Sequence, residues 1–132
     1  MLDDWYAVHL IVSELRLSQH TEIQMVYELR TYHCLPGRLP ALLKRFETVT
    51  VRLFEKHGIK QLGFWTVAIG ESNNDLVYIL QWDSLAERDA RFAAFQKDPE
   101  WIEARRKSEE DGPLLTSISN SILNPTVFSA AK

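Results

Sequence analysis

The sequence predicts a single α+β domain in which strands and helices follow one another in the order βαββαβ. A chain of 132 residues has the usual size of one domain, and 45% hydrophobic with 25% charged residues is ordinary globular composition. Segments of alternating polarity are also separated by two segments with apolar residues at helical spacing. We therefore expect one cooperative core.

Residues 1–24 are assigned to an N-terminal extension of uncertain structure, and the domain is assigned to residues 25–132. The extension mixes apolar and polar residues without a consistent helical or strand period. Met25 opens the first regular segment, so the extension is either part of the protein, a remnant of expression, or sequence upstream of the true start. The sequence does not choose among these three.

The first strand is predicted at residues 25–33, because this segment is rich in β-branched and aromatic residues that alternate in character. The first helix begins near Leu39, with Pro40 in its first turn, where a missing N–H has no cost. Gly58 ends it in the position of a left-handed C-terminal cap. Its apolar stripe runs for about five turns at three- and four-residue steps: Leu39, Leu42, Leu43, Phe46, Val49, Leu53 and Phe54.

A hairpin follows the first helix. Residues 59–69 form the predicted second strand, and residues 76–82 form the third. The cluster of Gly, Ser, Asn and Asp at residues 70–75 supplies the turn between them.

The second helix is predicted to start after Ser84, which forms a capping-box pattern with Glu87. Asp98 and Pro99 repeat the signature of a helix start, so the second helix is predicted to break there. Residues 114–122 alternate apolar and polar side chains and form the last predicted strand.

Right-handed crossovers make the ferredoxin-like fold the simplest arrangement of these elements. Its four-stranded antiparallel sheet has the first and third strands in the centre and both helices on one face. The other face is either wet or buried against a second copy of the chain. The large aromatic side chains favour burial, which predicts a homodimer.

The first strand carries the residues that are best suited to a functional site. A period of two places Glu28, Arg30 and Tyr32 on one face. The other face carries the mostly apolar set of Tyr27, Leu29 and Thr31. We expect the apolar set to face the helices and the polar set to face the open side, enclosed by the second subunit.

Two interpretations of this polar set stay open. Glu28 and Arg30 are either solvated or paired across the two subunits, or they bind the polar end of a ligand. A partly buried Glu28 would serve as acid, base or anchor, since burial raises and Arg30 lowers its pKa.

Aromatic residues on the neighbouring strands extend the candidate ligand site. On the third strand, parity allows either an aromatic-containing set or Val77, Ile79 and Gln81 to share the face of Glu28. We favour the former set, which consists of Leu76, Tyr78, Leu80 and Trp82. Trp65 on the second strand is either a pocket wall or a core residue.

Several classes of function lack support in the sequence. The net charge of −3 argues against nucleic acid as a partner, and the basic run 105–107 is interpreted as a solvated helix face. Metal binding is not indicated because the four histidines have no ligand spacing, and glycine-rich phosphate loops are absent. No cofactor is predicted. The lone Cys34 is expected to pack as a small hydrophobic residue.

No secretory signal or membrane segment is predicted. The apolar stretch at residues 7–12 is interrupted by His9, follows two aspartates and is too short to span a bilayer. A cytoplasmic location is therefore the default expectation.

The segment Tyr-Glu-Leu-Arg-Thr-Tyr at 27–32, followed by Pro36-Gly37, resembles the opening signature of the NIPSNAP family. The resemblance covers about residues 25–124, and its later matches are Gly63-Phe64-Trp65, Gly70, the strand ending at Trp82, Arg88, and Asp98-Pro99-Glu100-Trp101. One departure is Trp82, where the family commonly has Tyr.

The resemblance implies a dimeric α+β barrel, in which two ferredoxin-like domains pack sheet to sheet and each has a cleft between its sheet and its helices. The activity stays unassigned. One hypothesis is a dimer that binds a small apolar molecule, with or without a cofactor-independent oxygenase or isomerase reaction. Its predicted ligand-binding residues are Glu28, Arg30, Tyr32, Trp65, Tyr78 and Trp82. The alternative is a non-catalytic binding or scaffold dimer.

Overall fold

The computed structural model describes residues 25–131, so the expectations for residues 1–24 lie outside the described part of the chain. The element order is the predicted βαββαβ, with the second helix in two pieces. The strands are β1 (Val26–Cys34), β2 (Lys60–Thr66), β3 (Asp75–Trp82) and β4 (Leu115–Leu123). The helices are α1 (Leu39–Arg45, a π-helical segment Phe46–Thr50, and Val51–Lys56), α2 (Leu85–Lys97) and α3 (Pro99–Ser108).

The four strands form one antiparallel sheet in the order β2-β3-β1-β4, which confirms β1 and β3 as the central pair. The helices cover one face of this sheet. Aromatic rings from the helices meet rings on the sheet, with centroids 5.5 Å apart for Tyr32 and Phe46 and 6.3 Å apart for Trp82 and Phe92. The core therefore lies between the sheet and the helix layer.

Local signals in the sequence set the helix boundaries as predicted. The Ser84 hydroxyl accepts a hydrogen bond from the Glu87 N–H at 3.0 Å and caps α2. Asp98 caps α3 by accepting from the Glu100 N–H at 2.9 Å, which confirms the break before Pro99. Gly58 adopts a φ of 69°, which an L side chain rarely adopts, and it ends α1.

A π-helical segment interrupts α1 and changes which side chains it buries. The Val51 N–H bonds to the Phe46 carbonyl five residues earlier, which widens the helix by one residue. Thr50 is consequently buried, whereas Val49 from the predicted stripe is only half-buried. Arg45, just before this segment, is also buried. Leu42, Phe46, Leu53 and Phe54 are buried in the core as predicted, whereas Leu39 and Leu43, like Val49, are half-buried and pack against it.

The predicted orientation of β1 was wrong. Glu28, Arg30 and Tyr32 point toward the helices, where the Arg88 guanidinium of α2 pairs with the Glu28 carboxylate. A charged group can be buried when its hydrogen-bonding capacity is filled, and α2 supplies this partner. The mostly apolar set of Tyr27, Leu29 and Thr31 occupies the open face.

The favoured parity of β3 is confirmed, because its aromatic set lies beside the polar set of β1. Leu80 pairs with Glu28, and Tyr78 pairs with Arg30. Val77 and Ile79 accordingly lie on the open face. The same face carries three serines and a leucine of β4: Ser117, Ser119, Ser121 and Leu123. It therefore has an apolar centre and a polar edge.

Candidate functional site

Glu28 is the centre of a buried charged cluster. Its side chain is fully buried and its carboxylate accepts five hydrogen bonds. Arg88 donates two, from Nε to Oε1 at 2.8 Å and from Nη2 to Oε2 at 3.0 Å. Arg30 Nη1 donates at 2.8 Å, and Trp82 Nε1 and Asn120 Nδ2 each donate at 3.1 Å. The carboxylate is thus saturated by β1, β3, β4 and α2 together.

These donors decide the protonation state of Glu28. Burial acts to raise its pKa, but the hydrogen bonds from Arg88, Arg30 and Asn120 outweigh it and lower the pKa to about 2. The carboxylate is ionised at neutral pH and is a weak base. Glu28 therefore holds the cluster together and is poorly suited to proton transfer.

Arg30 connects this cluster to two buried phenols. Its Nε donates to the Tyr78 hydroxyl at 2.8 Å, and its Nη2 lies 3.5 Å from the Tyr32 hydroxyl. The Tyr78 hydroxyl donates in turn to the Tyr32 hydroxyl at 3.1 Å. Burial, followed by the neighbouring Tyr32, raises the pKa of Tyr78, so its hydroxyl stays protonated. The guanidinium of Arg30 is fixed by these partners.

A cavity of about 240 Å³ lies beside this network, between the sheet and the helices. Its apolar walls include Phe92, Phe95, Trp101 and Ile118. Its polar lining includes Arg30, Tyr32, Arg45, Arg105 and Glu109. The Arg105 side chain is 64% exposed and is 4.0 Å from the Glu109 carboxylate, so this pair lies toward solvent. The arrangement is apolar in its walls and mainly cationic in its polar groups.

Arg45 is the second buried guanidinium at the cavity. Its Nη1 donates to the Ser108 hydroxyl at 3.2 Å, and its Cζ lies 5.1 Å from the Trp101 ring centroid. Within residues 25–131, its buried Nε has no hydrogen-bond partner. Burial lowers the pKa of Arg45 from its ordinary value.

The structure brings only some of the predicted site residues to the cavity. Arg30 and Tyr32 line it. Glu28, Tyr78 and Trp82 are at most 1% exposed and lie behind it, where they support Arg30 directly or through the carboxylate. Trp82 serves as a hydrogen-bond donor to Glu28, a role that its indole N–H fills without a phenolic hydroxyl.

Trp65 is on the opposite face of the sheet from the cavity, so its prediction as part of the same site was wrong. The register of β2 against β3 shifts between Gln61 and Gly63, because a bulge places an additional residue in β2. The shift turns Phe64 toward the helices and leaves Trp65 on the open face, 50% exposed.

Sequence reasoning did not identify Arg45, Phe92, Phe95 and Trp101 as cavity residues. Arg45 had a detectable signal, since it lies three residues after Leu42 and four before Val49, inside the apolar stripe. The aromatic residues had the helical spacing typical of core positions, which does not distinguish a wall from a core.

The described residues offer little support for other kinds of site. Within residues 25–131, no group of three or more His, Cys, Asp or Glu side chains is arranged to hold a metal ion. Burial and the nearby Asp75 raise the pKa of the Cys34 thiol, which disfavours a reactive thiolate.

Over the described part of the chain, no helix combines the length and the apolar character that crossing a membrane requires.

The NIPSNAP family model matches residues 27–130, which include β1 from Tyr27 onward, the hairpin, the helices α1, α2 and α3, and β4. The chain belongs to the NIPSNAP family. This NIPSNAP domain is 36% identical over 77 residues to the NipSnap homolog 3B of Mus musculus and 32% identical over 77 residues to the NipSnap homolog 3A of Homo sapiens. The matches cover 58% of this chain but 30% of each relative, so the chain spans under a third of the relatives' length.

Solved structures of NIPSNAP proteins have the same fold. A NIPSNAP-like domain protein from Burkholderia xenovorans superposes with a TM-score of 0.72 at 29% identity, covering 81% of this chain and 90% of that one. A NIPSNAP family protein of unknown function from Agrobacterium tumefaciens gives a TM-score of 0.71 at 31% identity, covering 82% and 94%. The α+β fold predicted from the sequence is confirmed by these structures.

Proposed function

We propose that this NIPSNAP domain binds a small, largely apolar molecule in the cavity between its sheet and its helices. The cavity itself carries the proposal, because it combines aromatic walls with a few convergent polar groups, as small-molecule sites do. Arg30 and Tyr32 line it from β1 and Arg45 lines it from α1, so the polar end of the ligand would lie among these groups. The buried network behind them holds Arg30 in place before the ligand arrives.

We propose that the cavity binds a ligand but does not convert it to a product. An isomerase or oxygenase reaction that relied on Glu28 as its base would need a carboxylate that takes up a proton near neutral pH. Glu28 has a pKa of about 2 and its oxygens already accept five hydrogen bonds. Its part in ligand binding is indirect, through the position of Arg30.

The open face of the sheet supports the second part of the proposal, a homodimer. Its centre carries Leu29, Val77 and Ile79, and Trp65 adds a large, half-exposed ring at one side. Burying the apolar surface of such a face away from water is energetically favourable. We propose that a second copy of the chain packs on it, sheet against sheet.

Native mass spectrometry tests both parts, because it reports the number of subunits together with any retained small molecule. For the cavity, Ile118→Trp places a larger side chain on a residue that lines it. Ile122→Trp is the matched control on the same face of β4, at a position that does not line the cavity. A single-ring aromatic probe should bind to the wild type and to Ile122→Trp and be lost in Ile118→Trp. Equal binding by all three would contradict the cavity as the site.

For the dimer, Ile79→Arg places a charge at the centre of the open face. Leu85→Arg is the control, since Leu85 is 51% exposed on the helix layer. Sedimentation should find dimers for the wild type and the control but monomers for Ile79→Arg. A monomeric wild type at micromolar concentration would refute the dimer.

A non-catalytic scaffold dimer is the alternative predicted from the sequence. It uses the same open face but needs no ligand in the cavity. Probe binding separates the two, because a scaffold that needs no ligand would not show ring binding that is present in the wild type and lost in Ile118→Trp.

A further inference from the structure

The two buried arginines at the cavity differ in how their charges are compensated. Arg30 contacts the Glu28 carboxylate at 2.8 Å and two tyrosine hydroxyls. Arg45 has one hydroxyl partner, Ser108, and forms no salt bridge among residues 25–131. A guanidinium does not lose its proton in a protein, so Arg45 is a buried cation that no carboxylate of the described residues contacts.

The burial of Arg45 makes this imbalance significant. The residue is 5% exposed, and its Nε has no hydrogen-bond partner within the described range. Trp101 contributes a ring that attracts the guanidinium, but an aromatic face does not accept hydrogen bonds as an anion does. Buried polar groups are normally satisfied, so the unfilled capacity of Arg45 marks a place for an acceptor.

The remaining charges around the cavity also favour an anion. Arg105 adds another cation toward solvent, and Glu109 is the one carboxylate among the described lining residues. Glu109 interacts electrostatically with Arg45 but forms no salt bridge with it, and its carboxylate is 4.0 Å from Arg105. A ligand with one negative charge would compensate the charge of Arg45 and would not add an excess of negative charge to the site.

The walls and the volume limit the rest of the ligand. Phe92, Phe95 and Trp101 present aromatic surfaces, which pack well against a flat apolar body. An engineered apolar cavity of about 150 Å³ holds a benzene molecule. The present cavity of about 240 Å³ therefore has room for one ring and a small substituent.

Resting on the proposed function, we infer that the ligand is a small monocarboxylic acid with a body of about one ring. Its carboxylate accepts hydrogen bonds from the Arg45 guanidinium, whose planar donors match a carboxylate. Its ring lies against Trp101 and the phenylalanines of α2. Arg30 stays with Glu28 and supplies a fixed neighbouring charge.

The test compares benzoate with benzamide, which has the same shape but no charge, by calorimetry on the full chain. The wild type should bind benzoate at least tenfold more tightly than benzamide. Arg45→Gln should lose this preference while it retains benzamide binding. Arg52→Gln should match the wild type, because Arg52 is on the same helix but exposed in a surface pair with Glu100.

Three other outcomes would each overturn the inference, and one of them would also refute the proposed function. Equal affinity of the wild type for benzoate and benzamide would overturn the carboxylate assignment but leave the proposed apolar-ligand site standing. Tighter binding of phenyl phosphate than of benzoate would also overturn it, in favour of a phosphoryl group. Failure of both ring compounds to bind would refute the proposed function together with this inference. The wild-type comparison decides the matter even if Arg45→Gln does not fold.

Discussion

Replacing Glu28 by Gln should destabilise the domain strongly at neutral pH and weakly in acid. The substitution keeps the size of the side chain but removes its charge and turns one acceptor into a donor. Arg30 and Arg88 would then face an uncharged amide inside the protein. Removing one partner of a buried ion pair costs about 3–5 kcal/mol.

The pKa of Glu28 gives a second, independent value for this loss of stability. It falls from an ordinary value of 4.5 to about 2 in the folded protein. Since one pKa unit corresponds to about 1.4 kcal/mol, the ionised carboxylate contributes about 3 kcal/mol to the free energy of unfolding. The folded state has the lower pKa, so this contribution is complete above pH 4.5 and is lost as the pH falls toward 2.

Urea unfolding of the wild type and Glu28→Gln, at one protein concentration and at several pH values, checks this prediction. The difference between their free energies of unfolding should be about 3 kcal/mol at pH 7 and should shrink between pH 4.5 and 2. Glu47→Gln, at an exposed position on α1, is the control and should change the stability by less than about 0.5 kcal/mol. A difference below about 1 kcal/mol at pH 7, or one that is constant from pH 5 to 2, would refute the reasoning.

Three further predictions concern single groups. Tyr78→Phe should lower the free energy of unfolding by about 1–3 kcal/mol in urea titrations, because Arg30 Nε loses its buried acceptor; an unchanged midpoint would contradict this. Gly58→Ala should cost about 1–2 kcal/mol by thermal unfolding, since φ is 69° there and the added Cβ would meet the Arg91 guanidinium. Cys34 should react slowly with a thiol reagent at pH 8 and rapidly in denaturant, because burial raises its pKa; fast reaction of the native protein would count against its buried position.

Local sequence signals were sufficient for the element order. Asp98, Pro99 and Glu100 are adjacent in the chain, and they define a helix start without help from the rest of the fold. Gly58 acts in the same way at the end of α1, where its left-handed backbone follows from its own chemistry. Right-handed crossovers then left few ways to order the strands, and the predicted central pair is the observed one.

The face of β1 that meets the helices could not be predicted from such local signals. Alternation told which residues of β1 share a face but not which face meets the helices. The charged set faces inward because Arg88 pairs with Glu28 from 60 residues farther along the chain. A long-range ion pair leaves no periodic signal in the sequence, so hydrophobicity alone assigned the two faces in reverse.

The other differences between the predicted and the observed structure come from single additional residues in β2 and in α1. The bulge in β2 exchanges the faces of Phe64 and Trp65, and the π-helical segment of α1 buries Thr50 while Val49 is only half-buried. Gly63 was a usable signal for the first, since a glycine within a strand often marks a bulge. The second has no sequence signature that periodicity detects, although π-helical segments are frequent at functional sites.

The charges of the two buried arginines are compensated differently, and this difference separates a role in folding from a role in ligand binding. Arg30 belongs to a closed network in which Glu28 joins β1 to α2 and compensates its charge, so substitutions there should act first on stability. Arg45 belongs to no such network within residues 25–131, and its burial is unfavourable until an anion is present. Substitution of Arg45 should therefore act on ligand binding more than on folding. A stability loss in Arg45→Gln as large as that in Glu28→Gln would place both arginines in the scaffold and remove this distinction.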